Sequence, residues 1–405
     1  MRWSTTFLLL MLVLSVTATD YDQNKPFGFC TVSSRTDAAS TYNVTGGGCY
    51  TYPVTGVSSD KIITLTSTGK DMKAVITNAI KTYSVIIFDG SKGDFIISSC
   101  IDLNNLKDKT LLGINKARLC TQWFIRKELI DALNAAGVPN MSTNGGGGKL
   151  SNGAFVREEA EFNTRQIIIN MTGDTKETYR KCGIFAVKNC QNMIIRNLLF
   201  AGPGSIDVGG SDLLSFVNGT KNCWVDHCEF TDGMDGNFDI TGMSDFNTVS
   251  WCTFSYTDRS YMHQNTNLIG YSDKEPTGYL NTTFAFNWWG TGCKQRMPMA
   301  RVGKIHMLNN YFSSTTANNC INPRKNSEVL IEGNYFDKGV KKYYSQNDAI
   351  SVTWADSNLA VEDNKGGKPT SIGDVVTVPY QYAVAPSCDV PTIVQKNAGA
   401  TLFLK

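Results

Sequence analysis

The chain has 405 residues and carries 38 lysines and arginines against 36 aspartates and glutamates, a formal net charge of +2. This balance excludes the broad basic field of a nucleic-acid or membrane-surface binder, so a polyanionic ligand would have to be held by local cations. With 18% charged residues and 36 glycines, the composition is that of a globular and not a disordered chain. The length exceeds an ordinary single core, which predicts either two domains or a repeat architecture.

The N-terminus has the order of a secretory signal peptide. Arg2 is followed by the apolar run FLLLMLVLSV and then by the small residues VTA. The apolar run is too short to span a bilayer, which argues against a membrane anchor. We therefore predict a signal peptide over residues 1–18 and a secreted, extracellular protein.

The cysteines and the glycosylation sequons agree with secretion. There are 12 cysteines, an even number, and a secreted chain can oxidise them. Cys223 and Cys228 lack the histidines or second close pair of a zinc site, because the chain has only 3 histidines. Disulfides and buried thiols both remain open, and the sequence does not give a pairing. Asn-x-Ser/Thr sequons lie at Asn43, Asn140, Asn170, Asn218 and Asn281, which favours a glycoprotein.

The first half of the chain contains isolated strands and one helix. SVIIFDG at 84–90 and KTLLGIN at 109–115 are typical of strands closed by turns. Residues 121–137 have the pattern of an amphipathic helix that ends at Gly137 and Pro139. NGGGGKLSNG at 144–153 is a flexible loop. We interpret this stretch as an excursion and not as a separate domain.

A repeat in the second half predicts the fold. Short β-rich segments end in Phe200, Phe230, Phe254, Phe312 and Phe336, and a looser copy, TTFAFNWWG, occupies 282–290. A spacing in the twenties with short strands indicates a solenoid, and the segments lack both helical periodicity and a leucine ladder. We predict an all-β, right-handed, single-stranded parallel β-helix with loop and helix excursions, in which Asn and Phe stack into internal ladders. A β-sandwich is the alternative. DVPTIVQKNAGA near the C-terminus is expected to form a short closing helix.

Carboxylates cluster in CWVDHCEFTDGMDGNFDI at 223–240. Asp235 and Asp239 are four residues apart, which puts both on one face of a strand, and a neighbouring coil can bring Asp226 alongside. Three converging carboxylates form a hard oxygen cage that suits Ca²⁺. The spacing excludes an EF-hand. Alternatively, Asp232 and Asp235 are turn residues, because each precedes a glycine.

Two arginines flank Pro298 in QRMPMAR at 295–301. Pro298 forbids a regular central strand, so Arg296 and Arg301 can both face one groove despite their odd spacing. Arginines bind carboxylates in a bidentate manner. Alone, the pair is weak evidence, since surface arginines are usually only solvated.

Together, WVDHC, DGNFD, SDFNTVSWCTF and QRMPMARVGKIHMLNNYF resemble the pectate lyases of polysaccharide lyase family 1. The resemblance is strong over residues 190–340, with weaker matches at GGGCYTYPVT and over 86–114. It implies one parallel β-helix domain over 19–405, expected to be monomeric, with no nucleic-acid or membrane partner. It also implies Ca²⁺-dependent β-elimination on polygalacturonate, the main chain of pectate.

The resemblance implies roles for particular residues. Asp226, Asp235 and Asp239 match the calcium aspartates, Arg296 the arginine that takes the C5 proton, and Arg301 the arginine that binds the substrate carboxylate. The family's lysine a few residues before LIG is missing here. Either Arg259 binds substrate in its place, or an insertion in the longer stretch before Leu268 has moved the role to another residue. His227 and His306 are expected to be structural.

Three rival functions have different signatures. A polygalacturonase would need the motifs NTD, GHG and RIK, which are missing from the chain. A pectin lyase typically has a basic residue in the calcium region, where this chain keeps Asp226, Asp235 and Asp239. A non-catalytic polysaccharide-binding relative would be expected to lose the arginines, and only the missing lysine favours it.

Overall fold

A computed structural model describes residues 23–403 except 36, 38, 138–147 and 150–154. The predicted signal peptide, Asn140 and most of the glycine-rich loop lie outside the described residues. Parallel strands of the described part stack coil upon coil into two long sheets. This arrangement confirms the predicted right-handed parallel β-helix.

The larger sheet forms two of the three faces of the solenoid. The first face contains β4 Ile101–Asn104, β9 Phe185–Lys188, β12 Leu214–Val217, β15 Phe238–Ile240 and β18 Leu268–Ile269. The second face contains β1 Ile62–Thr66, β2 Val85–Asp89, β5 Lys107–Ile114, β10 Gln191–Arg196, β13 Trp224–Asp226, β16 Asn247–Ser250, β19 Thr282–Ala285 and β25 Ser351–Trp354. Two long strands, β21 Met299–Leu308 and β23 Asn322–Glu332, run across both faces.

The smaller sheet is the third face. It contains β3 Phe95–Ile97, β6 Arg118–Thr121, β11 Leu199–Ala201, β14 Glu229–Thr231, β17 Thr253–Ser255, β20 Trp288–Trp289, β22 Tyr311–Phe312, β24 Tyr335–Phe336 and β26 Leu359–Ala360. A separate antiparallel pair is formed by β7 Gly148–Lys149 and β8 Phe155–Val156.

Four α-helices lie outside the coils: α1 Lys73–Thr82, α2 Lys127–Ala135, α3 Arg157–Thr172 and α4 Val390–Asn397. Short 3₁₀ turns span Gly28–Thr31, Ser59–Lys61, Gly90–Lys92, Thr178–Lys181 and Ser387–Asp389. α2 and α4 confirm the two predicted helices, and no helix within the described residues is long and apolar enough to cross a membrane.

An aromatic ladder explains why the repeat ends in phenylalanine. The rings that stack along the third face are Phe200, Phe230, Phe254, Trp289, Phe312 and Phe336. Successive ring centroids are 4.7–5.4 Å apart, close to the spacing of neighbouring strands. Trp289, from the looser copy, takes the place of a phenylalanine. Buried stacked aromatics supply both apolar area and specific ring contacts, so the ladder fixes the register of the coils.

An asparagine ladder runs beside it. Asn287, Asn310, Asn334 and Asn358 pass amide hydrogen bonds from coil to coil at 2.9–3.1 Å. Each buried amide also donates to a backbone carbonyl of the adjoining coils, as Asn310 does to Phe284. These bonds satisfy polar groups that would otherwise be costly to bury. Both predicted ladders are therefore present.

The cysteines and sequons occupy different environments. All 12 cysteines fall in the described part and are free thiols, and most are buried, which favours the buried-thiol alternative. Asn43, Asn170 and Asn218 are exposed. Asn281 is buried, and its amide donates to Asp245, so it is poorly placed to carry a glycan.

Candidate active site

The candidate site lies along the first face and the loops that lead into it. We call connecting loops the segments that join a third-face strand to the next strand of the larger sheet: 202–213, 232–237, 256–267, 290–298, 313–321 and 337–350. Because the coils stack in register, equivalent positions of successive connecting loops lie side by side. Asp212, Asp235, His263 and Arg296 belong to four consecutive connecting loops.

Two carboxylates meet over Gly236. A β-carbon placed on Gly236 would lie 2.9 Å from Asp212 Oδ1 and 3.2 Å from Asp239 Oδ1. Asp212 Oδ1 is buried and has no hydrogen-bond partner among the described residues, whereas Asp239 Oδ1 accepts a bond from the Leu268 N–H at 2.9 Å. The absence of a side chain at position 236 therefore keeps open a space between two carboxylate oxygens.

The pKa values of Asp212 and Asp239 are both raised. Burial, followed by the charges of Asp239 and Asp235, raises the pKa of Asp212 well above its ordinary value. Burial raises the pKa of Asp239 to about 7, although the positive charge of Arg296 acts in the opposite direction. Gathered carboxylates that resist ionisation favour a cation, because bound positive charge would stabilise the ionised forms.

His263 holds the third carboxylate. Its Nε2 lies 3.0 Å from Asp235 Oδ1 and its Nδ1 lies 3.2 Å from Asp207 Oδ2. Burial alone would lower the pKa of His263, but hydrogen bonds to Asp207 and Asp235 raise it to about 9. His263 is therefore cationic at neutral pH and positions Asp235 next to the two converging carboxylates.

Arg296 faces the carboxylates. It adopts the left-handed conformation, with φ of 60°, and the Asn267 N–H donates to its carbonyl at 2.7 Å. Its positive charge opposes the rise in the pKa of both Asp212 and Asp239, so its guanidinium is within electrostatic range of both. No ion pair within the described part of the chain involves Arg296, which leaves its donors available to a ligand.

Two further arginines follow along the first face. Arg301 donates to the Gly270 carbonyl at 2.9 Å and lies 3.2 Å from Asp273 Oδ1. Burial, then the charges of Arg296 and Arg324, lower its pKa. In the bulge between β21 and β23, Arg301 lies opposite the segment that contains Arg324. Arg324 Nε is buried and has no hydrogen-bond partner among the described residues.

Asp226 is placed elsewhere. It ends β13 on the second face, where its Oδ2 contacts Arg196 Nε at 2.8 Å and His227 Nδ1 at 2.6 Å. Its Oδ1 accepts from Ser250 at 2.7 Å, and its side chain is fully buried. Both oxygens are therefore used in a structural network. This placement corrects the expectation that Asp226 shares a cage with Asp235 and Asp239, which share their site with Asp212 instead.

The contacts of Arg259 do not place its guanidinium beside the carboxylates of Asp212 and Asp239. Its guanidinium lies 4.7 Å from the centre of the Phe124 ring, and its stem passes over Gly204. The cation that does contact the site from the same connecting loop is His263. The expected structural roles agree with the contacts of the other two histidines: His227 pairs with Asp226, and His306 contacts Glu332.

The sequence alone does not point to Asp212, His263 or Arg324. The Phe-ended segments that reveal the repeat mark the third face, whereas Asp212 immediately precedes a first-face strand, β12. Phasing the first-face strands would have found it, because Leu214 pairs with Phe238 and so places Asp212 beside Gly236.

Comparisons with known sequences identify relatives. Residues 149–401 match the family described as Pectate lyase. A probable pectate lyase A of Neosartorya fischeri is 34% identical over 230 residues, which cover 53% of this chain and 65% of that protein. A pectate trisaccharide-lyase of Bacillus licheniformis is 31% identical over 235 residues, 56% of this chain and 64% of that protein. The matches thus span a little under two thirds of the length of these curated relatives.

Comparisons with solved structures support the fold. A pectate lyase of Bacillus sp. N165, solved with trigalacturonate, superposes with a TM-score of 0.56 at 19% identity, over 92% of this chain and 98% of that one. A pectate lyase variant from Xanthomonas campestris superposes with a TM-score of 0.53 at 18% identity, over 93% of this chain and 98% of that one. The major allergen from cedar pollen superposes with a TM-score of 0.51 at 18% identity, over 84% of this chain and 88% of that one. At these identities the likeness concerns the fold alone.

Proposed function

Because the chain belongs to the pectate lyase family, we propose that it is a calcium-dependent lyase that cleaves α-1,4-linked polygalacturonate by β-elimination. The products are 4,5-unsaturated oligogalacturonides. The observation that carries the proposal is the position of Arg296 next to the converging carboxylates of Asp212 and Asp239. The relative solved with trigalacturonate supports the substrate class.

The residues present fit a calcium ion. Asp212 and Asp239 direct hard oxygen ligands over Gly236, one of them without another partner in the described structure, and Asp235 is held beside them by His263. Within the described ranges, no three His, Cys, Asp or Glu side chains form a preformed metal cluster. We therefore expect substrate carboxylates to complete the oxygen shell, which in calcium sites holds about 6–8 ligands. When bound, calcium neutralises the uronate carboxylate and so acidifies the neighbouring C5 proton.

Arg296 is the proposed base. An arginine accepts a proton only when its pKa is depressed, and nearby positive charge and loss of solvent are the means of lowering it. Arg301 lies close to Arg296 on the same face, since the charge of Arg296 is among the causes that lower the pKa of Arg301. As the C5–H bond breaks, its electrons form the C4–C5 double bond and the C4–O bond breaks. The leaving oxygen gains a proton in the net reaction, so no water is consumed.

Arg301 and Arg324 are the proposed substrate-positioning residues. Asp273 and the Gly270 carbonyl fix the direction of the Arg301 guanidinium. A guanidinium held in this way can bind a uronate carboxylate with two parallel hydrogen bonds. Successive uronates along the first face would then meet Arg301 and Arg324 in turn. We keep Arg259 as a more distant substrate contact, since Phe124 holds its guanidinium by a cation–π contact.

We also propose that the protein is secreted, extracellular and monomeric, with residues 19–405 as its single domain. The signal-peptide pattern of residues 1–18 supports secretion. The exposed sequons at Asn43, Asn170 and Asn218 are consistent with passage through a glycosylating pathway.

The experiment that tests the reaction compares two products. Polygalacturonate is incubated with the wild type and with Arg296→Lys, and both new reducing ends and ultraviolet absorbance are followed. We expect the wild type to give reducing ends and unsaturated, absorbing ends in equal yield. Arg296→Lys should form both far more slowly. Reducing ends without absorbance would instead indicate a hydrolase and overturn the proposal.

A further inference from the structure

A second cationic feature lies on the C-terminal coils. A cleft of about 680 Å³ opens there, and we call it the lysine cleft. Its walls are Thr315, Ala317, Asn318, Gly339, Lys341, Lys342, Lys365 and Gly366. Lys341 and Lys365 are exposed and Lys342 is half-buried. None of the residues placed in the candidate active site lines this cleft.

Positive charge outweighs negative charge at the lysine cleft. None of its lining residues is acidic, and no ion pair within the described ranges involves its three lysines. Other lysines of the same coils are paired, since Lys325 contacts Asp348 and Lys304 contacts Glu328. Glu362 reaches the cleft, where its carboxylate accepts a bond from the Gly339 N–H at 3.0 Å. Three like charges around one concave surface favour an anionic ligand.

The coil register relates the lysine cleft to the active site. Lys341 and Lys342 lie in the connecting loop 337–350, two coils beyond the loop that holds Arg296, and Lys365 lies one coil further. Backbone bonds join these segments directly, from Cys320 N to Lys342 O and from Lys365 N to Lys341 O. At about 4.8 Å per coil, the lysines stand roughly 10–15 Å from Arg296 along the solenoid axis.

We propose that the lysine cleft is an anchoring site for polygalacturonate, separate from the site of the reaction. The proposal rests on the proposed function for the identity of the polymer. A chain with one carboxylate per sugar presents negative charge at short, regular intervals, as the stacked lysines present positive charge. Lysine ammonium groups act as hydrated point charges, so they suit a flexible, loosely held polyanion better than a tight bidentate contact.

Anchoring affects long substrates and not short ones. A polymer held in the lysine cleft has a raised local concentration at the active site, because the two sites are a few coils apart. A trimer bound across the reacting bond extends at most two sugars to either side, which is too short to reach the lysine cleft, so it gains nothing. Exposed charge pairs are screened by salt, so the advantage is expected to fade as ionic strength rises.

The test removes the three lysines together. The variant Lys341→Ser/Lys342→Ser/Lys365→Ser is compared with the control Lys70→Ser/Lys92→Ser/Lys176→Ser, which removes three exposed lysines from other parts of the chain. Three exposed charge pairs predict a rise in KM for the polymer of about fivefold at low salt. We expect kcat, and kcat/KM for trigalacturonate, to stay unchanged. Replacing the same three lysines with arginine should restore the wild-type KM.

A binding measurement separates this proposal from the proposed function. Retention on immobilised polygalacturonate is measured without calcium in the Arg296→Lys background, with fully methyl-esterified pectin as the uncharged control. Weaker retention of the lysine-cleft variant alone supports anchoring even if no lyase product forms. Equal retention of the two triple variants, or equal weakening by both, overturns it.

Discussion

The carboxylates of Asp212 and Asp239 converge from neighbouring coils onto the open face of Gly236. Their Oδ1 atoms would lie 2.9 Å and 3.2 Å from a β-carbon at that position. β12 and β15 pair in register, so the backbone itself holds the two carboxylates at this separation. We infer that this pair, with Asp235 beside it, binds calcium.

Replacing Asp212 with Asn should abolish tight calcium binding, whereas replacing Asp226 should not. Asp212→Asn removes a charged oxygen ligand, and we expect the calcium dissociation constant to rise roughly tenfold or more. Asp226→Asn leaves Arg196 buried without its counter-ion and should lower the free energy of unfolding by about 3–5 kcal/mol. Calorimetric calcium titration and thermal unfolding of both variants check the two outcomes. Loss of calcium affinity in Asp226→Asn, at a temperature where it is folded, would restore Asp226 to the metal site.

A methyl group at position 236 should have the same effect as losing a ligand. In Gly236→Ala, the new β-carbon would lie closer to Asp212 Oδ1 than ordinary contact allows and would push the carboxylates apart. We expect weaker calcium binding with little change in thermal stability. Gly290→Ala is the matched control, because its β-carbon would meet Trp288 only at 3.5 Å. If both alanine variants bind calcium as the wild type does, the space over Gly236 is not the calcium site.

Arg301 and Arg259 should differ in their effect on catalysis. Arg301→Ala removes charge-assisted hydrogen bonds worth about 1.5–3 kcal/mol, which corresponds to a loss of roughly 10–100-fold in kcat/KM on polygalacturonate. Arg259→Ala removes a guanidinium that lies over Phe124, and we expect a change of less than about threefold. Steady-state rates of both variants provide the comparison. A larger loss in Arg259→Ala would show that Arg259 takes the role of the family's lysine.

The buried His306 should make the fold sensitive to acid. Its Nε2 contacts Glu332 and its Nδ1 contacts Tyr380, with the Tyr382 ring alongside. Burial lowers its pKa below 6.5, although the Glu332 carboxylate acts in the opposite direction. Below the unfolded pKa of about 6.5 the unfolded chain therefore binds more protons, so this contribution to stability is present above that pH. It is lost as the pH falls toward the folded value.

His306→Gln removes that dependence. Between pH 7 and 5 the wild type should lose stability more steeply than the variant, by at most about 1.4 kcal/mol per pH unit. Chemical denaturation at several pH values measures the two slopes. Parallel slopes would mean that His306 keeps its solution pKa in the folded protein.

The fold could be predicted from the sequence because large side chains recur once per coil. Aromatic residues recur on the third face from Phe200 to Phe336, and asparagines recur beside them from Asn287 to Asn358, since each stacks on its neighbour. The candidate site was only partly predictable. The sequence identified Asp235 and Asp239, and both lie at the site with Arg296. Only Asp239 lies on a strand, however: Asp235 lies in the connecting loop before β15, so strand alternation does not explain its position.

The remaining site residues depend on which face each strand occupies. Asp226 and Asp239 both follow aromatic or apolar residues in one short stretch, yet one lies on the second face and the other on the first. Local alternation does not distinguish these faces, because the turn between them is fixed by coil packing. Asp212 and Arg324 reach the site only through the stacking of neighbouring coils, which no local pattern reveals.

The measurement that tests the central claim most directly is the ultraviolet absorbance of polygalacturonate treated with the wild-type protein, with calcium and with a chelator. We expect a steady rise from the unsaturated product with calcium, no rise with the chelator, and recovery when calcium is restored. A rise that the chelator leaves unchanged would contradict a calcium site at Asp212 and Asp239. No rise under any condition, from a folded protein, would contradict lyase activity itself.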